Sequence, residues 1–400
     1  MSPQPGSLVM KILFLSPWFP FPPDNGSKIR VYNLLRFLSR QHSLTLIAFC
    51  PHAADLSGLD FCSKVIVVNK DPFVKSQLME AMRFFLPCPF VVYPDKEMSR
   101  VVNSELRQED FSAIIAFTTT VANYVNEVKI PKVLDLDTGL TGFAMERLRL
   151  AGGRIRKLQA WISLSKTIRC ERELVGQFDA TIVISKEGQR SLQPVLTKAR
   201  QLAIVGHGVD LSYYPFNLEE PEPNSLIYNG ALTFSANFDA MQWFLQDIYP
   251  RIKTEIPAVR LRITGGGAGV DLNALALDQS VILTGYVPDV RPVVAKSSIC
   301  IIPIRIGGGQ RLKILEAMAL GTPVVSTSKG MEGLAINPGE HALIADESAS
   351  FASSVVQLLR NAEQRKEIAK NARLLMEEKH TWDTILPRFK SVVESVAIST

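Results

Sequence analysis

A chain of 400 residues has room for roughly two to three domains, and 46% hydrophobic with 21% charged residues is an ordinary globular balance that excludes a disordered or fibrous protein. Lys plus Arg number 44 against 39 Asp plus Glu, and a net charge of +5 is too mild to mark a nucleic-acid-binding protein. The five cysteines (Cys50, Cys62, Cys88, Cys170, Cys300) are scattered and never form a C-x2-C pair, so they fit neither a disulfide framework nor a zinc site and suit a reducing cytosol. No apolar run approaches the eighteen or so residues of a membrane span, and residues 1–9 read as a disordered leader without the apolar core of a signal peptide.

The first strand signal is MKILFLS from Met10, almost continuously apolar as in a parallel strand buried on both faces. A Pro-rich loop, PWFPFPPDNG, then leads through Gly26 into a helix over 27–40, where Ile29, Tyr32 and Leu35 recur at helical spacing. Strand-like runs follow at 43–50, 64–68, 112–118, 132–136, 179–185 and 201–205, with helical stretches in most gaps, an alternation that predicts a doubly wound parallel sheet. The polar stretch PFNLEEPEPN at 215–224 has the composition of a linker. Beyond it the plan recurs: SLIYNG ends in Asn229 and Gly230, a helix follows over 237–252, and further strands are expected at 259–264, 281–285, 298–304, 322–327 and 341–345. From Glu347 onward the chain reads helical, and Trp382, Ile385, Leu386, Phe389 and Val392 lie at helical spacing in a last segment that needs a partner surface. The expected units are therefore 10–214, a linker at 215–224, 225–380, and a helix over 381–400.

The most informative stretch is IPIRIGGGQRLKILEAMALGTPVVST, in which a buried strand runs into Gly307, Gly308 and Gly309 and then into a helix starting near Gln310. Glycines let the backbone approach a ligand closely, and the helix start presents free N–H groups and a positive dipole end to an anion such as phosphate. Arg311 and Lys313 fall in the first turn, where cations are unfavourable unless an anion is bound. Glu316 is placed to accept two hydroxyls of a ribose, or to pair with Lys313. In the first half, Asp135 and Asp137 follow a buried strand and, two apart, point to one side, toward the carboxyl ends of the strands where open α/β sheets bind ligands. Asp137 is a candidate ligand contact there, with an N-cap as the structural alternative; Glu171 reads as an exposed helical glutamate paired with an arginine, or as facing the same crevice. The five histidines show no metal-ligand spacing, so no metal and no cofactor are expected.

The block Arg305–Leu334 resembles the donor-binding signature of the glycosyltransferase family 4 group, and the likeness extends over nearly the whole chain through PWFPFPPDNGSKIRVYNLLRFLS, GHGVDLSYY, LRITGGG and LTGYVPDV. The resemblance implies the GT-B fold, two Rossmann-like doubly wound parallel-sheet domains facing a cleft, and a retaining transfer of a sugar from a nucleotide-diphosphate sugar to a hydroxyl of a carbohydrate or lipid-linked acceptor. It implies that the helix over 381–400 returns to the first unit, and donor contacts at Gly26, Gly265, Gly266, Tyr286, the glycines 307–309 and Glu316; Asn229 and Gly230 are further candidates for polar contacts, with a strand-ending turn as the alternative. The chain departs from the family in four places: Gly308 stands where the first of two paired glutamates is usual, His207 replaces an asparagine, the catalytic-side histidine is missing, which leaves Asp137 as the candidate to contact acceptor or donor sugar, and NGALTFSANFDA lacks the usual Arg and Lys, whose charge Arg311 and Lys313 would then supply on the catalytic side. A GT-B sugar-nucleotide epimerase, a non-catalytic nucleotide-sugar-binding subunit, and a metal site at the D-x-D pair of Asp135 and Asp137 are the alternatives.

Residues 147–170 hold seven basic residues (Arg147, Arg149, Arg154, Arg156, Lys157, Lys166, Arg169) and no acidic one, with Leu158, Trp161 and Ile162 among them. This segment supplies the positive excess of the whole chain, and it reads either as a solvated basic helix or as a surface for an anionic membrane, at which a cytoplasmic protein would be peripheral.

Overall fold

The computed structural model describes residues 9–73, 95–137 and 139–398; the leader expected at 1–9 lies, apart from Val9, outside them. The chain divides into two units, Met1–Gly206 together with Leu386–Thr400, and His207–Ile385.

The first unit is built on seven parallel strands among the described residues: β1 Lys11–Ser16, β2 Ser43–Phe49, β3 Lys64–Val68, β4 Ala113–Phe117, β5 Lys132–Asp135, β6 Ala180–Val183 and β7 Leu202–Ile204. Their order is β3-β2-β1-β4-β5-β6-β7, so the direction of winding reverses between β1 and β4. Apart from the exposed Lys11, every residue of β1 is buried, and Leu13, Leu15, Ile47, Phe49, Ile114 and Ala116 meet in one core cluster beneath the flanking helices. The helix Gly26–Leu38 starts where Asn25 accepts the Lys28 N–H at 3.1 Å, and it buries Val31, Leu34, Leu35 and Leu38.

The second unit repeats the order with six parallel strands: β8 Glu222–Asn229, β9 Arg260–Thr264, β10 Val281–Gly285, β11 Ser297–Ile302, β12 Val324–Ser326 and β13 Leu343–Ile344, arranged β10-β9-β8-β11-β12-β13. Two Rossmann-like doubly wound parallel sheets therefore make up the chain, as its alternation of apolar runs and helical stretches implied. Residues 215–224 lie within the second unit: the Asn217 N–H donates to the Leu320 carbonyl at 3.0 Å, and Glu222 opens β8. Met241, Phe244, Leu245 and Ile248 are all buried on the helical stretch from Ser235, which passes through a π-turn at Phe244–Ile248 just before Pro250. The last helix, Trp382–Ile398, begins in the second unit and joins the first at Leu386, where Leu386, Phe389, Val392, Val393 and Val396 are buried.

Cys50, Cys62 and Cys300 are free thiols. Cys170 is disulfide-bonded, which departs from the reading of all five cysteines as thiols.

Candidate functional site

In each sheet the reversal of strand order opens a crevice at the carboxyl ends of the two central strands, the place where doubly wound sheets take ligands. In the second unit those strands are β8 and β11. β8 ends at Asn229, and β11 runs on through Ile304 into the glycine loop and the helix Leu312–Leu320. Arg311 stands at the N-cap position with extended backbone and makes no side-chain cap, so the first N–H groups of the helix keep their affinity for an outside acceptor.

Lys313 lies one residue into that helix. Its ammonium is buried, donates to Tyr228 Oη at 3.2 Å and Asn237 Oδ1 at 3.1 Å, and sits 4.2 Å from the centre of the Tyr228 ring. Every partner is neutral, and no carboxylate lies within ion-pair distance of it among the described residues. Burial, reinforced by the nearby Arg311 guanidinium, lowers the Lys313 pKa to about 7. A Cβ at Gly230 would fall on the ammonium and on the Asn237 amide, so a side chain there would displace the Lys313 head group. Arg311 turns back on the loop, donating through Nη1 to the Gly308 carbonyl at 3.0 Å and through Nη2 to the Ile306 carbonyl at 3.3 Å, while its buried Nε has no partner. Burial lowers its pKa also. Two cations, an uncapped helix start and a glycine loop therefore converge, and among the described residues neither cation is in an ion pair, with Glu316 and Glu332 the acidic groups whose charge reaches them.

Glu316 lies one turn deeper and is buried. Its Oε1 accepts from Tyr214 Oη at 2.8 Å and its Oε2 from Asn229 Nδ2 at 3.3 Å, and burial raises its pKa. Asn229 is oriented in turn by Thr264, whose hydroxyl donates to its Oδ1 at 3.0 Å. Gly265 follows with φ 108°, and a Cβ there would meet the Ala231 nitrogen at 2.5 Å, so β9 ends on a turn only glycine can make. Gly266 has open space around it, as does Gly308, and Gly307 and Gly309 have φ of 89° and 86°. Tyr286, just past β10, is 69% exposed. Gln310 ties the loop down: its Oε1 accepts from the His207 N–H and its Nε2 donates to the Gly333 carbonyl, both at 2.6 Å.

The second unit thus gathers Asn229, Gly230, Gly265, Gly266, the glycines 307–309, Arg311, Lys313 and Glu316 at the ends of β8, β9 and β11. Sequence reasoning missed Tyr214, Tyr228, Asn237 and Gln310. Asn237 gave one signal, as a polar residue on an otherwise apolar helix face; Tyr214 lay in the GHGVDLSYY segment and Tyr228 in an apolar strand with nothing to mark either ring.

In the first unit the side chains expected at one crevice take different partners, although the Asp137 N–H still donates to Asp135 Oδ1 at 3.3 Å. Asp135 closes β5 with its carboxylate wholly buried against Arg30, at 2.8 Å from Nε and 3.3 Å from Nη2, and Arg30 also donates to the carbonyls of Val205 and Gly206 at 3.0 and 2.8 Å. The strand ends there, so the alternation that put Asp135 and Asp137 on one side does not continue. Asp137 has φ 48° and accepts from Ser27 Oγ at 3.2 Å, which brings it beside the loop that ends at Gly26. Gly26 itself has open space around it. Glu171 is buried rather than exposed, and among the described residues it pairs with no arginine: Oε1 accepts from the Leu140 N–H at 2.7 Å and Oε2 from the Thr141 N–H at 2.9 Å. It caps the helix Leu140–Leu150 from a neighbouring helix, and burial raises its pKa. Among the described residues no group of three or more His, Cys, Asp or Glu side chains is placed to hold a metal ion.

Two doubly wound parallel sheets in succession, with a glycine loop and a buried glutamate in the second, are the architecture of the GT-B fold. The model of the family described as Glycosyl transferases group 1 matches residues 223–361, most of that unit. Most of the second unit therefore resembles group 1 glycosyltransferases, a likeness that points to an enzyme of the transferase type. Across the whole length it is similar to an uncharacterized 44.6 kDa protein in the cps region of Klebsiella pneumoniae, 21% identical over 394 residues that cover 92% of this chain and 96% of that one. Among solved structures it shares the fold of sucrose-phosphate synthase from Thermosynechococcus elongatus, with TM-score 0.76 and 15% identity, covering 98% and 100% of the two chains. It also shares the fold of HepE from Anabaena in complex with UDP and glucose, with TM-score 0.68, 15% identity and 96% and 100% coverage. A third likeness is to a mutant form of S. aureus TarM in complex with fondaparinux, alpha-GlcNAc-glycerol and UDP, with TM-score 0.68, 10% identity and the same coverage.

Proposed function

We propose that the chain transfers a sugar from a nucleotide-diphosphate sugar to a hydroxyl of a carbohydrate or lipid-linked acceptor, with retention at the anomeric carbon, in the assembly of a polysaccharide or glycolipid. The observation that carries this reading is Lys313, a buried ammonium held by neutral groups beside an uncapped helix start, an arrangement that a diphosphate completes. The complexes of HepE with UDP and glucose and of TarM with UDP support a nucleotide donor, and the cps-region relative supports polysaccharide assembly. Retention follows from the resemblance of the Arg305–Leu334 block.

In this reading the diphosphate takes the N–H groups at the start of Leu312–Leu320 together with Lys313 and Arg311, over the open backbone of Gly308 and Gly266. Glu316 offers its two carboxylate oxygens to the ribose hydroxyls, and Tyr286 offers an exposed ring at the end of β10. Asp137, beside Gly26 and Ser27, contacts the sugar or the acceptor hydroxyl. As the bond from the anomeric carbon to the phosphate oxygen breaks, charge gathers on the leaving diphosphate, where fixed dipoles and two cations already point. These cations do the work a metal does in other sites, so turnover is expected to survive EDTA. The test is incubation with a panel of nucleotide sugars and oligosaccharide or lipid-linked acceptors, followed by mass spectrometry. Release of nucleoside diphosphate with a glycosylated acceptor supports the reading, whereas an epimerised donor without release, or restoration of an EDTA-stripped activity by manganese, overturns it.

A further inference from the structure

The basic segment singled out in the sequence takes no part in the donor site, and its structure gives it a specific form. The helix Leu140–Leu150 ends, Gly153 turns the chain with φ 78°, and a second helix runs over Arg154–Val175. That helix packs through Ala160, Thr167, Glu171, Leu174 and Val175, which leaves the opposite face of its first two turns to solvent. On that face Ile155, Leu158 and Trp161 are 75%, 59% and 57% exposed. Three large apolar side chains three residues apart make a ridge, which is unlike the single scattered exposures that a soluble surface tolerates.

The charges around the ridge are of one sign. Arg147 and Arg149 lie in the last turn of the preceding helix, and Arg154, Arg156 and Lys157 stand beside Ile155 and Leu158. None of these five is ion-paired among the described residues. Arg169, further along, pairs with Glu173 at 3.2 Å. We infer that the start of the helix Arg154–Val175 is a docking surface for an anionic lipid bilayer, lying in the interface with Ile155, Leu158 and Trp161 among the acyl chains and the unpaired basic side chains at the headgroups. Charge complementarity selects this occupant: a ridge of this size with no acidic residue matches a surface that is apolar beneath and negative above. No described helix is long and apolar enough to cross a membrane, so the contact is one of lying on the bilayer. The inference rests on the proposed transferase reading only in its purpose, to bring the enzyme to a lipid-linked acceptor.

The experiment is co-sedimentation of the full chain with vesicles of phosphatidylcholine alone and of phosphatidylcholine with phosphatidylglycerol, alongside the variants Ile155→Ser/Leu158→Ser/Trp161→Ser and Arg154→Glu/Arg156→Glu/Lys157→Glu. Wild type should bind the anionic vesicles and release them at high salt, and both variants should lose binding, with each basic charge removed costing roughly fivefold. Nucleotide-sugar affinity, measured on the same preparations, should be unchanged, which separates failure of this surface from failure of the donor site and from misfolding. Absence of binding to anionic vesicles, equal binding by the variants, or an apolar surface that instead joins two copies and yields monomers on substitution would overturn the inference.

Discussion

Lys313 concentrates the energetics of the proposed donor site. A buried ammonium surrounded by neutral acceptors costs stability that a bound diphosphate restores, so binding and stability should respond to its removal in opposite directions. Lys313→Met is expected to weaken nucleotide-sugar binding about tenfold to a hundredfold, the loss of one charge-assisted contact, while raising the melting temperature of the ligand-free protein. The sign of the pH dependence follows from its pKa of about 7, below the ordinary lysine value. Between the folded and the unfolded pKa the unfolded chain binds more protons, so the deficit of wild type relative to Lys313→Met should shrink as pH rises from about 7 toward 10. Binding should follow the reverse course. Below pH 7 the ammonium is already charged, whereas above it the donor must draw a proton onto Lys313, so affinity should fall by up to tenfold per pH unit and calorimetry at pH 8.5 in buffers of different ionisation enthalpy should show uptake of close to one proton. A flat affinity profile from pH 6 to 9 contradicts this assignment. Glu316 behaves differently because it is tied to Tyr214 and Asn229: Glu316→Ala strands both donors and should lower thermal stability, while Glu316→Gln should keep the fold and lose roughly tenfold in donor affinity. Equal donor affinity in Glu316→Gln and wild type would remove it from the site.

At the scale of elements, the glycine loop and the carboxylate cap act through backbone groups. Gly265→Ala should be severe, since φ 108° and the Ala231 backbone both oppose a side chain, and it should reduce soluble yield and donor binding together. Glu171→Ala removes the two bonds that start the helix Leu140–Leu150 and should cost about 1–2 kcal/mol of stability in thermal or denaturant unfolding, with donor affinity unaltered. The strands and the Gly307–Lys313 loop were legible in sequence because parallel strands buried on both faces read as continuous apolar runs and because glycines ahead of a helix have few other uses. What stayed hidden was pairing over distance. Arg30 and Asp135 are 105 residues apart, and Tyr214 and Glu316 are 102 apart. Neither pair leaves a local pattern, since each partner taken alone looks like an ordinary polar residue of its helix, loop or strand. The same limit put Glu171 on the surface in the sequence reading, because a wheel of one helix does not reveal that the first N–H groups of another lie against it.

At the scale of the molecule, the chain closes its first unit with its last residues. Leu386, Phe389, Val392, Val393 and Val396 are all buried there, and at roughly 1.5–3 kcal/mol for each large apolar side chain their loss would rival the whole stability of a typical domain. Truncation after Ile385 should therefore abolish cooperative unfolding of the first unit and lower solubility. Nucleotide affinity should stay within about twofold in what remains soluble, because every donor-site residue of the second unit lies between Tyr214 and Gly333; a truncated protein with unchanged melting behaviour would contradict the packing. The repeated strand order was readable because the apolar runs recur in the same sequence after residue 224, while the return of the chain at Leu386 rested on the GT-B resemblance, the apolar stripe showing only that a partner surface was needed. The account as a whole stands on a nucleotide diphosphate seated at the start of Leu312–Leu320. Calorimetric titration of a panel of nucleotide-diphosphate sugars into wild type and Lys313→Met at pH 6.5 tests it most directly: at least one should bind wild type and lose about tenfold to a hundredfold in the variant, whereas no binding by any of them, or equal affinity in both proteins, would contradict it.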